Sequence, residues 1–127
     1  MSNERYLLDT QILLWMDQRP EKITRRLQAT LDAGFEVYFS AASAWEIAIK
    51  CSLGKLSINR PLSALAQNFG FLELPVTTRH TDIAARLPLH HRDPFDRMMV
   101  AQAIKERLIF VTGDRRLAQY NLKTLQV

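Results

Sequence analysis

Short apolar or β-branched runs alternate with longer amphipathic stretches along the whole of this chain. The predicted strands are residues 5–8, 36–40, 71–76, 108–112 and 124–127. The predicted helices are about residues 10–16, 21–33, 41–53, 61–70, 77–87, 94–107 and 115–120. Strands that alternate with helices favour a mostly parallel sheet with helices on both faces, which is an α/β fold. The 127 residues contain no repeat or linker, so residues 1–127 are expected to form one domain.

Four acidic residues that are far apart in the chain share one kind of position in this pattern. Asp9 and Asp114 follow predicted strands, while Glu46 and Asp96 lie on predicted helices that begin where strands or loops end. Open parallel sheets gather such positions along one edge, where these folds bind ligands. Carboxylates that meet there repel one another unless they share a cation. The pattern therefore predicts a divalent metal site and metal-dependent chemistry on phosphate.

Each acid also has a structural interpretation. Asp9 and Thr10 are suited to cap the following helix, and Asp114 is a common turn residue. Glu46 is spaced to pair with Lys50 one helical turn away. The metal interpretation is favoured for the four acids jointly, because the predicted topology places all of them at the same edge of the sheet.

The helix over residues 94–107 starts with Asp93 as its predicted N-cap and Pro94 as its first residue. Capping explains Asp93 better than Asp96, because Asp96 is predicted to share an arc with Met99 and Val100. An aspartate that faces the interior is costly unless it is paired, protonated or bound to metal.

Charge and composition favour an intracellular protein that meets a polyanion. Lys and Arg number 17 against 13 Asp and Glu, and setting the four acids aside leaves 17 against 9. Such a surface attracts RNA, although an ordinary solvated basic surface would look the same. No apolar run is long enough for a membrane helix, and the N-terminus lacks the form of a signal peptide. With a single cysteine, Cys51, a cytoplasmic location is expected.

Other chemistries have weaker support. His80, His90 and His91 show no zinc-site spacing, and they are expected to be solvated. There is no phosphate-binding P-loop and no Gly-x-Ser-x-Gly segment to support a serine triad. The bulky side chains expected in the core are Trp15, Trp45, Met98 and Met99.

Four segments resemble the PIN-domain ribonucleases, particularly the toxin subunits of VapBC-type toxin–antitoxin pairs. The segments are LLDTQIL at residues 7–13, SAASAWEI at 40–47, HRDPFDRMMVAQA at 91–103 and VTGD at 111–114. Each is weak alone, but together they are specific, and they follow the family's order and spacing over nearly the whole chain.

By this resemblance, the catalytic and metal-binding residues are expected to be Asp9, Glu46, Asp96 and Asp114. The expected supporting residues are Thr10, Thr112 and Asp93, and the candidates for holding the RNA backbone are Lys50, Arg97, Arg115 and Arg116. The resemblance implies Mg²⁺ or Mn²⁺ as cofactor and hydrolysis of RNA phosphodiester bonds. It also implies a cognate antitoxin that blocks the cleft, and assembly into a homodimer or higher homo-oligomer.

Two other functions fit parts of the pattern. A PIN-fold module that binds RNA or protein without cutting would use the same basic surface, although the intact acidic set disfavours it. A receiver-like phosphoacceptor is also a small α/β domain with clustered carboxylates. Such a domain needs an acidic pair after its first strand and a late lysine, whereas here Thr10 follows Asp9 and Asp114 occupies the late position.

Overall fold

Five strands form one sheet in this computed structural model, which describes residues 4–127. They are β1 (Arg5–Leu8), β2 (Glu36–Ser40), β3 (Leu72–Leu74), β4 (Ile109–Thr112) and β5 (Thr124–Gln126). The order across the sheet is β3-β2-β1-β4-β5, and every neighbouring pair is parallel. The predicted α/β fold is confirmed. β3 is shorter than predicted because Pro75 follows it and has no N–H to donate to a ladder.

Residues 1–3 lie outside the described residues. The expectations of one domain over residues 1–127 and of no signal peptide include them.

Six α-helices connect and cover the strands. They are α1 (Thr10–Gln18), α2 (Arg25–Asp32), α3 (Ala41–Ser52), α4 (Leu62–Phe69), α5 (Thr78–Arg86) and α6 (Pro94–Glu106). The prediction that the second helix begins at residue 21 is wrong. The Thr24 side chain accepts a hydrogen bond of 3.2 Å from the Leu27 N–H, so the cap lies at Thr24. A 3₁₀ turn, Pro20–Lys22, precedes it, and a second one, Arg115–Gln119, follows β4.

The sheet is buried on both faces because its central strands alternate apolar side chains between two cores. Leu8 of β1 and Val111 of β4 belong to one core cluster, which includes side chains from α1, α2, α3 and α4. Leu7 and Phe110 point the other way and pack with Met99 of α6. Helices therefore cover both faces, as predicted. Within residues 4–127, no helix has the length and apolarity needed to cross a membrane.

His80 is buried between α5 and α6, with only 1% of its surface exposed, so the expectation of a solvated side chain is wrong. Its Nδ1 accepts a hydrogen bond of 3.0 Å from the Thr77 N–H, and its Nε2 lies 2.8 Å from Glu106 Oε2. Both ring nitrogens are thus satisfied inside the protein, which makes burial of the imidazole tolerable.

α3 buries only one side. Ser43, Glu46 and Ile47 face inward, whereas Trp45 is 64% exposed, so the expectation that Trp45 packs in the core is wrong. A residue two positions from Ser43 and Ile47 lies on the opposite face of an α-helix. Trp15 does pack against the core, as predicted.

Candidate metal centre

The candidate site lies at the carboxyl ends of β1 and β4, in the middle of the sheet. β1 pairs with β2 on one side and with β4 on the other. β2 and β3 extend the sheet on one side of β1, and β4 and β5 extend it on the other side, so the strand order reverses between β1 and β4. Asp9 follows β1 directly, and its N–H donates to the Val111 carbonyl at 2.9 Å. Asp114 follows β4 after one intervening residue, Gly113. Ligand sites in open α/β sheets occupy this topological position.

Two helices bring the other acids to the same edge. Glu46 lies on α3, and Asp96 lies in the first turn of α6. The helices are held together near the site by Ser43, whose Oγ lies 3.2 Å from Met99 Sδ and 2.8 Å from Thr10 Oγ1. Thr10 and Ser43 are both buried. The Thr10 hydroxyl, expected to support the acids, therefore helps to pack α1 against α3.

The acids line one cleft of about 510 Å³. Its walls are formed by Asp9, Thr10, Gln11, Leu14, Trp15, Glu46, Lys50, Asp93, Asp96, Gly113, Asp114 and Arg115. A larger cleft, of about 680 Å³, opens elsewhere on the surface around Arg5, Arg107 and Lys123. We place the candidate site in the smaller cleft because five carboxyl groups converge there.

The pKa values of Asp96 and Asp9 reflect their burial among other acids. Burial, together with the nearby carboxylates of Asp9, Asp93, Glu46 and Asp114, raises the pKa of Asp96 to about 8. Burial also raises the pKa of Asp9. A carboxyl group with so high a pKa lacks sufficient compensating positive charge from the protein. Bound cations supply this kind of compensation in other proteins.

Glu46 gives an independent sign that the site is incomplete without a ligand. Its Oε2 accepts a hydrogen bond of 2.7 Å from Lys50, forming the predicted i,i+4 pair. Its Oε1 is buried and has no hydrogen-bond partner among the described residues. Unsatisfied buried carboxylate oxygens are costly, and oxygen is the donor atom that Mg²⁺ and Mn²⁺ prefer. The residues of the cleft therefore fit a divalent cation.

The main contact that orients the Asp9 side chain comes from the end of β4. Asp9 is the N-cap residue of α1, but its side chain makes no capping hydrogen bond, so the structure does not support the alternative interpretation of Asp9 as a helix cap. Instead, the Thr112 hydroxyl donates to Asp9 Oδ2 at 2.7 Å. Asp93 behaves as predicted: its Oδ1 accepts from the N–H groups of Phe95 (2.9 Å) and Asp96 (3.0 Å) and caps α6.

His91 also belongs to the site, although it was expected to be solvated. Its Nε2 lies 3.1 Å from Asp114 Oδ2 and 3.4 Å from Asp96 Oδ2. Ligand atoms of these three residues lie within 4.8 Å of one another. The one signal in the sequence is that His91 lies just before the segment that starts α6, whereas zinc-site spacing concerns only residues close together in the chain.

Three of the four basic residues expected to hold RNA lie in or beside the cleft, and the fourth, Arg97, does not. Lys50 and Arg115 line the cleft. Arg116 lies beside it, and its hydrogen bonds to Asp114, at 2.9 and 3.1 Å, hold the pKa of that carboxyl group below its ordinary value. Arg97 faces away from the cleft and donates to backbone carbonyls, including those of Ala84 (2.8 Å) and Pro88 (3.1 Å). Its role in the structure is to hold the loop before α6, which does not match the predicted RNA contact.

Comparison with known proteins agrees with this architecture. A family model described as PIN domain matches residues 6–123. VapBC2 from Rickettsia felis, bound to a DNA fragment from its promoter, gives a TM-score of 0.74 at 14% identity, covering 96% of this chain and 98% of that one. DNA-bound VapBC from Salmonella typhimurium gives 0.69 at 15% identity, covering 97% and 98%. A toxin–antitoxin complex from Klebsiella pneumoniae gives 0.64 at 14% identity, covering 95% and 96%. Among curated proteins, no sequence matches.

Proposed function

The chain belongs to the PIN domain family, and on that premise we propose that it is a metal-dependent endoribonuclease, the toxin of a cytoplasmic toxin–antitoxin pair. The observation that carries the proposal is the convergence of Asp9, Glu46, Asp96 and Asp114 in one cleft, with Glu46 Oε1 unsatisfied among the described residues. A cleft with this excess of negative charge repels RNA until a cation is bound.

Mg²⁺ or Mn²⁺ is the proposed cofactor, held by Asp9 and Asp96 with contributions from Asp114 and Glu46. These ions take oxygen ligands and need only a few carboxylates, because they retain water in their remaining positions. When bound, such an ion acidifies water and neutralises the charge that develops on the phosphate. One ion or two would fit this set of acids.

The chain's own residues bind and orient the reactants. Thr112 fixes the orientation of Asp9, and Lys50 and Arg115, which line the cleft, attract the RNA backbone to it. Asp96 must be deprotonated for the site to hold a cation. The water oxygen forms a bond to phosphorus and gives up one proton, while the bond from phosphorus to the 3′ oxygen breaks and that oxygen takes up one proton. The products are 5′-phosphate and 3′-hydroxyl ends.

The toxin role is supported by the similarity to solved VapBC and toxin–antitoxin complexes over more than nine-tenths of each chain. We propose that a cognate antitoxin covers the cleft and that the toxin self-associates. A short adjacent reading frame for a DNA-binding protein would support this role.

Metal-linked stability and RNA cleavage test the proposal together. Mg²⁺ or Mn²⁺ is expected to raise the Tm of the wild type, because ligands that bind only the folded state stabilise it. The rise should be nearly absent in Asp9→Asn. The matched control is Asp82→Asn, an exposed aspartate of α5 outside the cleft, which should respond like the wild type.

Cleavage of single-stranded and structured RNA should require the metal and should be lost in Asp9→Asn and Asp96→Asn, with the fold retained by circular dichroism. An equal rise in Tm for wild type and Asp9→Asn would contradict the shared site. RNA binding without any cleavage by the wild type would favour a non-catalytic module.

A further inference from the structure

We propose that His91 is a positioning residue, which holds the carboxylates of Asp96 and Asp114 through its Nε2–H group and does not itself bind the metal. The inference rests on the proposed function, since it concerns the same cleft. It adds a residue that the acidic pattern does not contain, and it predicts which kind of cation the cleft selects.

The side chain of His91 is well placed for this role. Only 9% of it is exposed, and Nε2 contacts Asp114 Oδ2 at 3.1 Å and Asp96 Oδ2 at 3.4 Å. Asp114 follows β4 and takes part in the hydrogen bond, whereas Asp96 lies on α6 at the longer ion-pair distance, so one ring nitrogen lies close to acids from two separate elements. Hydrogen bonds of this kind orient the carboxylates that ligate metals and tune their affinity.

The backbone of the loop determines which nitrogen carries the proton. The N–H of Asp93 donates a hydrogen bond of 3.0 Å to His91 Nδ1, so Nδ1 must present its lone pair. In a neutral imidazole the proton then resides on Nε2, the nitrogen that faces the two acids. This assignment follows from the hydrogen-bond pattern around the ring.

A metal ligand would need the opposite tautomer. Nε2 would have to present its lone pair to the ion, and the proton on Nδ1 would then point at the Asp93 N–H. Two donors would face each other, and the N–H of Asp93 would lose this hydrogen bond. The proximity of His91, Asp96 and Asp114 ligand atoms, within 4.8 Å, therefore does not make this a mixed nitrogen and oxygen site.

The loop between α5 and α6 holds the backbone of His91 in place. The His91 N–H donates to the Tyr120 hydroxyl at 3.1 Å, and Arg97 Nη1 donates to the His91 carbonyl at 3.3 Å. Arg97 also donates to the Leu87 carbonyl at 3.1 Å, which fixes the start of the same loop. The ring is thus preorganised by contacts that do not involve the metal.

The consequence is an all-oxygen ligand set. Such sites suit Mg²⁺ and Mn²⁺, whereas imidazole ligands favour Zn²⁺ and Ni²⁺. His91 thereby contributes to selection between metals by withholding its nitrogen.

The decisive measurement is the tautomer of His91, obtained from nitrogen–proton correlation NMR of the ring on the wild-type protein. The signal is assigned by its absence from the spectrum of His91→Gln. The expected result is the Nε2–H tautomer without metal and with saturating Mg²⁺. An Nδ1–H tautomer in either state would overturn the inference. The metal-free spectrum decides this independently of whether any metal binds.

Metal affinity of matched variants, measured by calorimetry, tests the positioning role. Loss of an outer hydrogen bond to metal ligands weakens affinity by about 10- to 100-fold, and this is expected for His91→Ala with Mg²⁺ and Mn²⁺ alike. His91→Gln, which can place an N–H group near the position of Nε2, should recover most of it, whereas His91→Asn should not.

Unchanged affinity in His91→Ala, or a loss confined to Zn²⁺ and Ni²⁺, would overturn the inference. If instead the wild type binds no divalent metal, the proposed function fails. The Nε2–H tautomer in the metal-free protein would then still support hydrogen bonding from His91 toward the acids.

Discussion

The hydroxyl of Thr112 donates a hydrogen bond of 2.7 Å to Asp9 Oδ2 and accepts one of 3.0 Å from the Asp114 N–H. One buried side chain at the end of β4 thus sets the positions of two acids that come from opposite ends of the chain. Because it is wholly buried, solvent cannot replace it when it is removed.

Thr112→Val should therefore destabilise the protein and weaken metal binding. The change preserves shape but leaves Asp9 Oδ2 and the Asp114 N–H without this partner, which should lower the free energy of unfolding by about 1–3 kcal/mol. Urea unfolding measures the loss, and Thr112→Ser is the control that retains the hydroxyl. Equal stability of the valine variant and the wild type would show that the hydrogen bond contributes nothing.

Metal binding should depend on pH through Asp96. Its pKa is about 8, and the ion needs the charged carboxylate, so the metal must displace a proton below that pH. The apparent affinity should fall roughly tenfold for each pH unit below about 8 and level off above it. Calorimetry in buffers of different ionisation enthalpy measures the proton released. A flat affinity between about pH 6 and pH 8 would contradict the high pKa.

Stability of the metal-free protein should change in the opposite direction. The folded-state pKa of Asp96, about 8, lies above the ordinary value of 3.8 for an aspartate, so the folded protein holds this proton more tightly. The resulting stabilisation is complete below the unfolded pKa and is lost as the pH rises through about 8. Chemical unfolding in chelator should show this decline, and Asp96→Asn should reduce it.

His80→Ala should damage the fold and leave the cleft alone. The change removes the ring that accepts from the Thr77 N–H and contacts Glu106, and it leaves a cavity. The expected loss is about 2–4 kcal/mol in the free energy of unfolding. The exposed His90 is the control, because surface substitutions usually cost less than about 0.5 kcal/mol. Provided that the His80 variant is folded at the start of the thermal scan, Mg²⁺ should raise its Tm by as much as it raises the Tm of the wild type.

The salt dependence of RNA affinity should depend on the basic residues at the cleft. In an Asp96→Asn background that does not cut, Arg115→Ala should reduce the slope of log affinity against log salt by about 0.7, since one phosphate contact is lost. Arg79→Ala, on the exposed surface of α5, is the matched control and should keep the slope. Filter binding over a range of salt concentrations would distinguish the two. Identical slopes for both variants would remove Arg115 from the interface.

The regular part of the fold followed from periodicity, because strand and helix patterns are local properties of the chain. Five runs were expected as strands and five strands occur within residues 4–127, with every bound within two residues of its expected position. The convergence of Asp9 and Asp114 was also predictable, since parallel strands end at a common edge. Asp93 was expected as a helix cap, and its hydrogen bonds to the Phe95 and Asp96 N–H groups confirm this.

Several side chains were placed wrongly from the sequence, for two reasons. His91 and Arg97 lie in or beside a loop whose path depends on the contacts it makes with Tyr120 and the end of α5. No periodic pattern encodes such contacts. Trp45 was expected in the core because it lies on a helix that is apolar over most of its surface, but in the structure it lies on the outer face of α3. The convergence of the acids and the place of Thr112 beside Asp9 could be anticipated, whereas the contacts of His91 with Asp96 and Asp114 could not.

β1 is laid down first among the strands, yet its partner β4 follows it by about a hundred residues. On the ribosome, a nascent chain that has exposed Asp9, Glu46 and Asp96 still lacks the strand that seats Thr112 against Asp9. The complete cleft therefore forms only after β4 has left the exit tunnel, and the proposed activity would be absent until then.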